Sequence, residues 1–382
     1  MTLITTTADL AAFVDRLKGA EYVTVDTEFM REKTYWPQLC LVQVGGPEEA
    51  AAIDPLAPGI DLAPLFALMA DEGVLKVFHA ARQDIEIFFH LTGRIPKPLF
   101  DTQVAAMVCG FGDQVGYETL ITKLTTARID KSSRFTDWAQ RPLTERQLTY
   151  ALSDVTHLRP AYEKIAKRLA RTGRAGWLDE EMAVLTDPAT YRLDPEDAWK
   201  RLKVRADKPR FIAILKEVAA WREREAQRKD LPRNRVLRDE ALVEIAAHAP
   251  TSIDDIARTR GLGAGMANGR YGTELLEAVQ RALSIPEKDL PRPEKRVEPP
   301  QGLGPIVELL RVLLKMVGDD AEVASRLIAN AADLEAIAAD DHADVPALKG
   351  WRREVFGEAA LKLKHGRLAM AVDGKRVKLV EL

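Results

Sequence analysis

Tyr22-Val23-Thr24-Val25-Asp26-Thr27-Glu28-Phe29 is a β-branched, largely apolar run that ends in an Asp-x-Glu pair. Side chains two apart on a strand share a face, so a strand here puts the carboxylates of Asp26 and Glu28 side by side. Two adjacent acids repel each other, and a hard divalent cation with oxygen ligands is the usual way to hold such a pair. Exposed acidic pairs are common, so the pair decides nothing until further acids appear in matching settings.

Two later segments supply them. Val74-Leu75-Lys76-Val77-Phe78-His79-Ala80 reads as a second buried strand and runs directly into Ala81-Arg82-Gln83-Asp84-Ile85-Glu86-Ile87-Phe88-Phe89, whose apolar spacing is helical. Asp84 then sits in the first turn of a helix, where an acid also simply complements the helix dipole. In Glu145-Arg146-Gln147-Leu148-Thr149-Tyr150-Ala151-Leu152-Ser153-Asp154-Val155-Thr156-His157-Leu158, Thr144 and Gln147 form a capping-box pattern. Tyr150 and Asp154, four apart, are neighbours on one helix face beside an apolar stripe of Leu148, Leu152, Val155 and Leu158. Alone, that pair would suit an ordinary solvent edge.

Taken together, strand acid pair, helix-start acid and late-helix Tyr-x-x-x-Asp resemble the tyrosine-containing branch of the DEDD superfamily of 3′–5′ exonucleases. Thr34-Tyr35-Trp36-Pro37-Gln38-Leu39-Cys40-Leu41-Val42-Gln43, His79-Ala80-Ala81-Arg82-Gln83-Asp84 and Tyr150-Ala151-Leu152-Ser153-Asp154 look like segments of the ribonuclease D family. Trp221-Arg222-Glu223-Arg224-Glu225-Ala226 and Asp230-Leu231-Pro232-Arg233-Asn234 resemble that family's helical C-terminal region. The resemblance covers nearly the whole chain, and none of the five positions departs from the pattern.

It implies an α/β RNase H-like exonuclease domain with a mixed sheet, followed by two all-α HRDC-type domains. It further implies two Mg²⁺ or Mn²⁺ ions, with Asp26 bridging both, Glu28 and Asp154 serving the ion that holds the water, and Asp84 serving the other. Tyr150 would orient the attacking water, since a phenol of reference pKa near 10 is a poor base at neutral pH. Thr27, Phe29 and His79 neighbour these residues and are candidates for lining the terminal-nucleotide pocket, although Phe29 and His79 would equally suit the core. RNA is the implied partner, with tRNA precursors and other small structured RNAs trimmed at their 3′ ends to release 5′-phosphomononucleotides. A 3′–5′ DNA exonuclease and a non-catalytic RNA-binding scaffold are the competing readings.

The 382 residues suggest two or three domains. No apolar run approaches membrane-spanning length and the N-terminus has no signal-peptide pattern, so a cytoplasmic protein is expected. Cys40 and Cys109 lie in apolar segments and read as buried small hydrophobes, and the histidines make no zinc pattern. The net charge of −3 conceals a division: Trp199 to Glu240 carries 14 Lys/Arg against 7 Asp/Glu, a local +7. With Arg128, Lys131, Arg134, Arg141 and Arg146, this basic surface beside an acidic site suits a phosphate polymer. Alternating signs, as in Arg222-Glu223-Arg224-Glu225, also suit a solvated helix face.

Strands are expected at 22–29, 39–45, 50–54, 74–79 and 98–101. Helices are expected near 8–18, 62–71, 81–92, 102–109, 116–125 and 144–170. The domain plan is an exonuclease domain over 1–171, a helical connector over 172–207 and a first HRDC domain over 208–287. A Pro-rich charged linker over 288–302 then leads to an HRDC-like unit over 303–382, which ends in a hairpin at Asp373-Gly374. Gly261-Leu262-Gly263-Ala264-Gly265 follows no strand and fails as a dinucleotide loop. No oligomer signature appears, and the three-part layout fits a monomer.

Overall fold

The computed structural model describes residues 2–130, 136–204, 208–292 and 302–382. It contains two compact units. Unit 1 combines the chain up to Glu28, Cys40–Thr190 and the chain from Gly302 onward. Unit 2 combines Phe29–Leu39 with the stretch from Tyr191 to Arg292.

Unit 1 is built on a mixed sheet of strands β1 (Thr2–Ile4), β2 (Tyr22–Met30), β3 (Gln38–Gly45), β4 (Ala50–Ile53), β5 (Leu75–Phe78) and β6 (Leu99–Asp101), in the order β1-β4-β3-β2-β5-β6. β2, β5 and β6 run parallel, as do β1 and β4, whereas β3 and β4 are antiparallel. Val23 and Val25 of β2 and Val77 of β5 are fully buried, each contributing on the order of 2 kcal/mol of apolar burial. Thr24 pairs with Val77, so Asp26 and His79 lie two residues further on, where β5 has ended and β2 continues to Met30. Open α/β sheets generally bind their ligands outside the carboxyl ends of their strands.

Helices α1 (Thr7–Leu17), α2 (Ala63–Ala70), α3 (Arg82–Thr92), α4 (Thr102–Met107), α5 (Tyr117–Leu124), α6 (Glu145–Thr156) and α7 (Leu158–Thr172) flank the sheet. The Thr144–Gln147 capping box is present at the start of α6. The continuous helix expected over 144–170 is instead two. Pro160 has no N–H to donate to the carbonyl of Thr156, so the ladder breaks around His157. Strand β1 has no counterpart among the expected strands, because three residues carry no readable alternation.

Further helices at Gly304–Asp320, Ser325–Ile328 and Ala331–Ala339 share one apolar cluster with α4, α5 and α7, joining Ala105, Leu120 and Ile165 to Leu310, Ile337 and Phe356. Trp177 and Trp351 stack there with ring centroids 4.3 Å apart. The chain ends in an antiparallel hairpin, β7 (Leu368–Asp373) and β8 (Arg376–Glu381), whose turn holds Gly374 at φ +61°.

Unit 2 is helical from Tyr191 onward. Its axis is the 21-residue helix Pro209–Lys229, followed by Arg233–Val236, Asp239–His248, Ile253–Ala257, Ala264–Ala267 and Arg270–Ser284. The glycine-rich segment at 261–265 leads into a one-turn helix after a helix, with no strand before it. Gly272 is required by close approach, since a Cβ there would lie 1.7 Å from the carbonyl oxygen of Ala267.

The basic stretch is less free than its composition suggests. Arg222 pairs with Asp239, Arg224 with Glu196, Arg228 and Lys229 with Glu225, and Arg233 with Glu223. In unit 1, Arg141 is also structural: it forks onto Asp54 at 2.7 Å and bonds the carbonyls of Cys40 and Trp138. Lys131, Arg134 and Arg205 lie outside the described residues, as does most of the Pro-rich linker.

Candidate active site

The turn between β5 and α3 is set by one carboxylate. Asp101, at the end of β6, accepts the backbone N–H of Ala80 at 3.0 Å and of Ala81 at 2.8 Å, and caps α4 through Gln103 N–H at 2.7 Å. These bonds hold Ala80 at φ +60°, a backbone conformation unfavourable for a residue with a Cβ, and fix where α3 begins. Asp84 therefore lies in the first turn of α3, almost wholly buried. Its Oδ1 accepts the Thr27 hydroxyl at 2.5 Å.

A second lock joins β2 to α6. The buried Thr24 hydroxyl bonds the Val155 carbonyl at 2.8 Å, and Gly45 packs against both residues. A Cβ on Gly45 would fall 2.5 Å from Thr24 Oγ1 and 3.4 Å from Val155 Cβ. Arg159 reaches the Gly45 carbonyl at 3.1 Å and lies over the Tyr22 ring. Asp154 is thereby carried to the acidic end of β2.

Asp26, Glu28 and Asp154 each offer a carboxylate oxygen, and those atoms lie within 4.8 Å of one another. Burial pushes the Asp26 carboxyl up to about 7, against a hydrogen bond from the Thr27 backbone. Burial, then the charges of Asp26, Asp154 and Asp84, push Glu28 up to about 10. Asp84 is also raised well above its ordinary value, by burial and then by Asp26. An all-oxygen donor set whose like charges oppose one another fits a hard divalent cation.

The cluster opens onto a cavity of about 430 Å³ whose lining includes Asp26, Thr27, Glu28, His79, Tyr150 and Asp154. Asp84 contacts it through Thr27, and Phe29 is not among its lining residues. His79 bonds Thr102 at 3.0 Å through Nδ1, while its buried Nε2 makes no well-formed hydrogen bond, the backbone of Val115 being the near polar group. Burial holds the imidazole below its ordinary pKa and so favours the neutral ring.

Tyr117 is a site residue that the sequence pattern does not reveal. It lines the same cavity, packs edge-on against His79 and donates to the carbonyls of Ser153 and Asp154 at 2.9 and 2.7 Å. Burial and then the Asp154 and Asp26 charges push its phenol up, so it stays a donor that steadies the end of α6. No local pattern marks it, because its partners lie 36 and 37 residues away.

Residues 1–170 match the family model described as 3′-5′ exonuclease, and residues 212–279 match the HRDC domain. Fold and site thus define an exonuclease that carries an HRDC module. A ribonuclease D of Gluconacetobacter diazotrophicus is 53% identical over 99% of this chain and 96% of that protein. One of Nitrobacter hamburgensis is 54% identical over the full length of both. The crystal structure of Escherichia coli RNase D, an exoribonuclease involved in structured RNA processing, superposes with a TM-score of 0.81. It is 31% identical, and the match covers 96% of this chain and 98% of that one. The chain belongs to the ribonuclease D family and is a 3′–5′ exoribonuclease.

Proposed function

We propose that this exoribonuclease trims tRNA precursors and other small structured RNAs from the 3′ end by metal-dependent hydrolysis, releasing 5′-phosphomononucleotides. The convergence of Asp26, Glu28 and Asp154 on one cation-sized site carries the reading. Asp26, Glu28 and Asp154 would hold one divalent ion and Asp26 with Asp84 a second, Mg²⁺ or Mn²⁺ being the fit for oxygen ligands. Bound there, such ions supply an activated water and neutralise charge on the leaving 3′ oxygen.

The chain's own residues do the rest. Tyr150, on the helix face that carries Asp154, positions the attacking water in line with the scissile P–O3′ bond. That bond breaks, the water's oxygen stays on phosphorus, and the shortened chain takes a proton on its new 3′ hydroxyl. His79 Nε2 is a buried polar atom with no well-formed hydrogen bond, and a ribose hydroxyl of the terminal nucleotide would supply one. Thr27 holds Asp84 in place through its hydroxyl. Phe29 is proposed only as a neighbour of this pocket.

The HRDC domain over 208–287 and the unit over 303–382, read as a second HRDC-like module, would grip the RNA through phosphate contacts. The enzyme is proposed to act as a cytoplasmic monomer. Among the described residues, no helix is long and apolar enough to cross a membrane.

The test is a gel of a 5′-labelled tRNA precursor with an extended 3′ tail, incubated with Mg²⁺ or with chelator. Shortening from the 3′ end only with metal supports the reading. Faster shortening of a matched DNA strand would transfer the proposal to DNA. Binding without shortening, across several metals, would leave a scaffold.

A further inference from the structure

We propose that unit 2 carries a dedicated subsite for a backbone phosphate of the RNA, formed by Arg31, Arg201, Arg222 and Arg233. The proposal rests on RNA being the substrate and goes beyond it by naming a binding site made of residues other than the acid cluster. The four arginines are among the residues lining a cavity of about 380 Å³ that shares no lining residue with the acidic one.

Charge favours an anion there. Against four arginines the lining holds one acid, Asp239, and beneath it lies Glu223. Counting Asp230 as well, four arginines stand against three carboxylates around a small hollow. Asp230, close by, is engaged by the backbone N–H groups of Tyr35 and Trp36.

The arginines are also set in advance. Arg233 forks onto Glu223 at 2.6 and 2.7 Å, lies 4.7 Å from the Tyr35 ring and donates to the Tyr35 hydroxyl. The Tyr35 hydroxyl in turn donates to Glu223. Arg222 is 2% exposed: it bonds the Leu237 carbonyl at 3.0 Å and Asp239 at 2.6 Å, and its Nε is buried with no partner. Burying a guanidinium with a donor unmet is costly, and an anion in the cavity relieves that cost through the field even where it makes no direct bond. Arg201 is the adaptable member, half-exposed and reaching Glu223 only at 3.5 Å. Planar guanidinium forks match the oxygens of a phosphodiester better than a point charge does.

The experiment uses the full chain and a 5′-fluorescein RNA of about 24 nucleotides, long enough to span several phosphate contacts, followed by anisotropy in chelator over a salt series. Arg201→Gln is the main variant because Arg201 makes one long contact. Arg31→Gln, also in the lining, is the second. Thermal unfolding confirms that both are folded. Each should weaken RNA binding by about 10-fold, irrespective of base sequence. Each should also flatten the slope of log Kd against log[salt] by about 0.7, the share of one phosphate on a single strand. Turnover of a dinucleotide with Mg²⁺ should stay unchanged.

Folded variants with wild-type affinity and wild-type salt slope would overturn the subsite while leaving the exoribonuclease intact. The subsite falls equally if the wild type shortens RNA with metal while neither variant loses affinity. Wild-type protein that neither binds nor shortens RNA would overturn the functional reading and the subsite together.

Discussion

The two units gather buried carboxylates in opposite ways. In unit 1, Asp26, Glu28 and Asp154 face one another; burial drives Asp26 and Glu28 toward their protonated forms, and for Glu28 the charges of its neighbours add to it. In unit 2, Glu223 is buried too, but Arg233 and the Tyr35 hydroxyl outweigh the desolvation and hold it below the ordinary carboxylate range. Glu225 follows the same rule: burial would raise it, but hydrogen bonds from Arg228, Lys229 and Tyr271 hold it down to about 2. Unit 2 supplies its own counter-charges and so its acids serve the fold. Unit 1 gives its acids no such counter-charge, which is what the proposed metal site requires.

That contrast orders the expected effects. Asp26→Asn should lower single-turnover cleavage by about 10³-fold or more, because the group proposed to hold both ions is lost. The same variant in chelator should unfold at the wild-type temperature or above it, since one of the repelling charges is gone. A lower unfolding temperature would show that Asp26 serves the fold.

Glu223→Gln should do the reverse. Removing the buried partner of Arg233 leaves a desolvated guanidinium and should cost about 3 kcal/mol in urea unfolding, with dinucleotide turnover at the wild-type rate. Gly45→Ala lies between the two. Its Cβ collides with Thr24 Oγ1, and overpacking of this kind costs about 1–2 kcal/mol. The shift of Val155 should move Asp154 and slow cleavage by about 10-fold.

The smallest effect is in pH, and its sign separates the units. Asp26 and Glu28 have folded pKa values above their unfolded ones. Their contribution is present in full below about pH 4 and is lost as pH rises through about 7 for Asp26 and about 10 for Glu28. Glu225 has a lowered value, so its contribution is present above about pH 4.5 and lost as pH falls through about 2. A divalent cation should cancel the first trend only. The Mg²⁺-induced rise in unfolding temperature should therefore be larger at about pH 8 than at about pH 5.5. A rise independent of pH would argue against binding at these acids.

The parts of the site that could be read from sequence are those with a local geometric signature. Alternation on a strand put Asp26 and Glu28 on one face, the 3.6 period joined Tyr150 to Asp154, and the strand-to-helix junction placed Asp84 in a first turn. The parts that escaped depend on residues distant in the chain. Tyr117, Gly45 and the Asp101 clamp are defined by what packs against them from elsewhere. So is the apolar cluster that unites Leu120 with Leu313 and Phe356 in unit 1. Composition misled where it counted charges without their partners: Arg141 and most of the arginines near Arg222 are committed to ion pairs within the chain.

Whether the converging carboxylates of unit 1 bind the ions is tested most directly by a Mn²⁺ titration of metal-free protein, with free Mn²⁺ followed by electron paramagnetic resonance. Wild type, Asp26→Asn and Asp154→Asn are compared. The wild type should remove about two ions per chain, and Asp26→Asn, although folded, should retain neither site at wild-type affinity. Asp154→Asn should lose one. Identical titration curves for all three proteins would mean that the converging carboxylates are not where the metal binds.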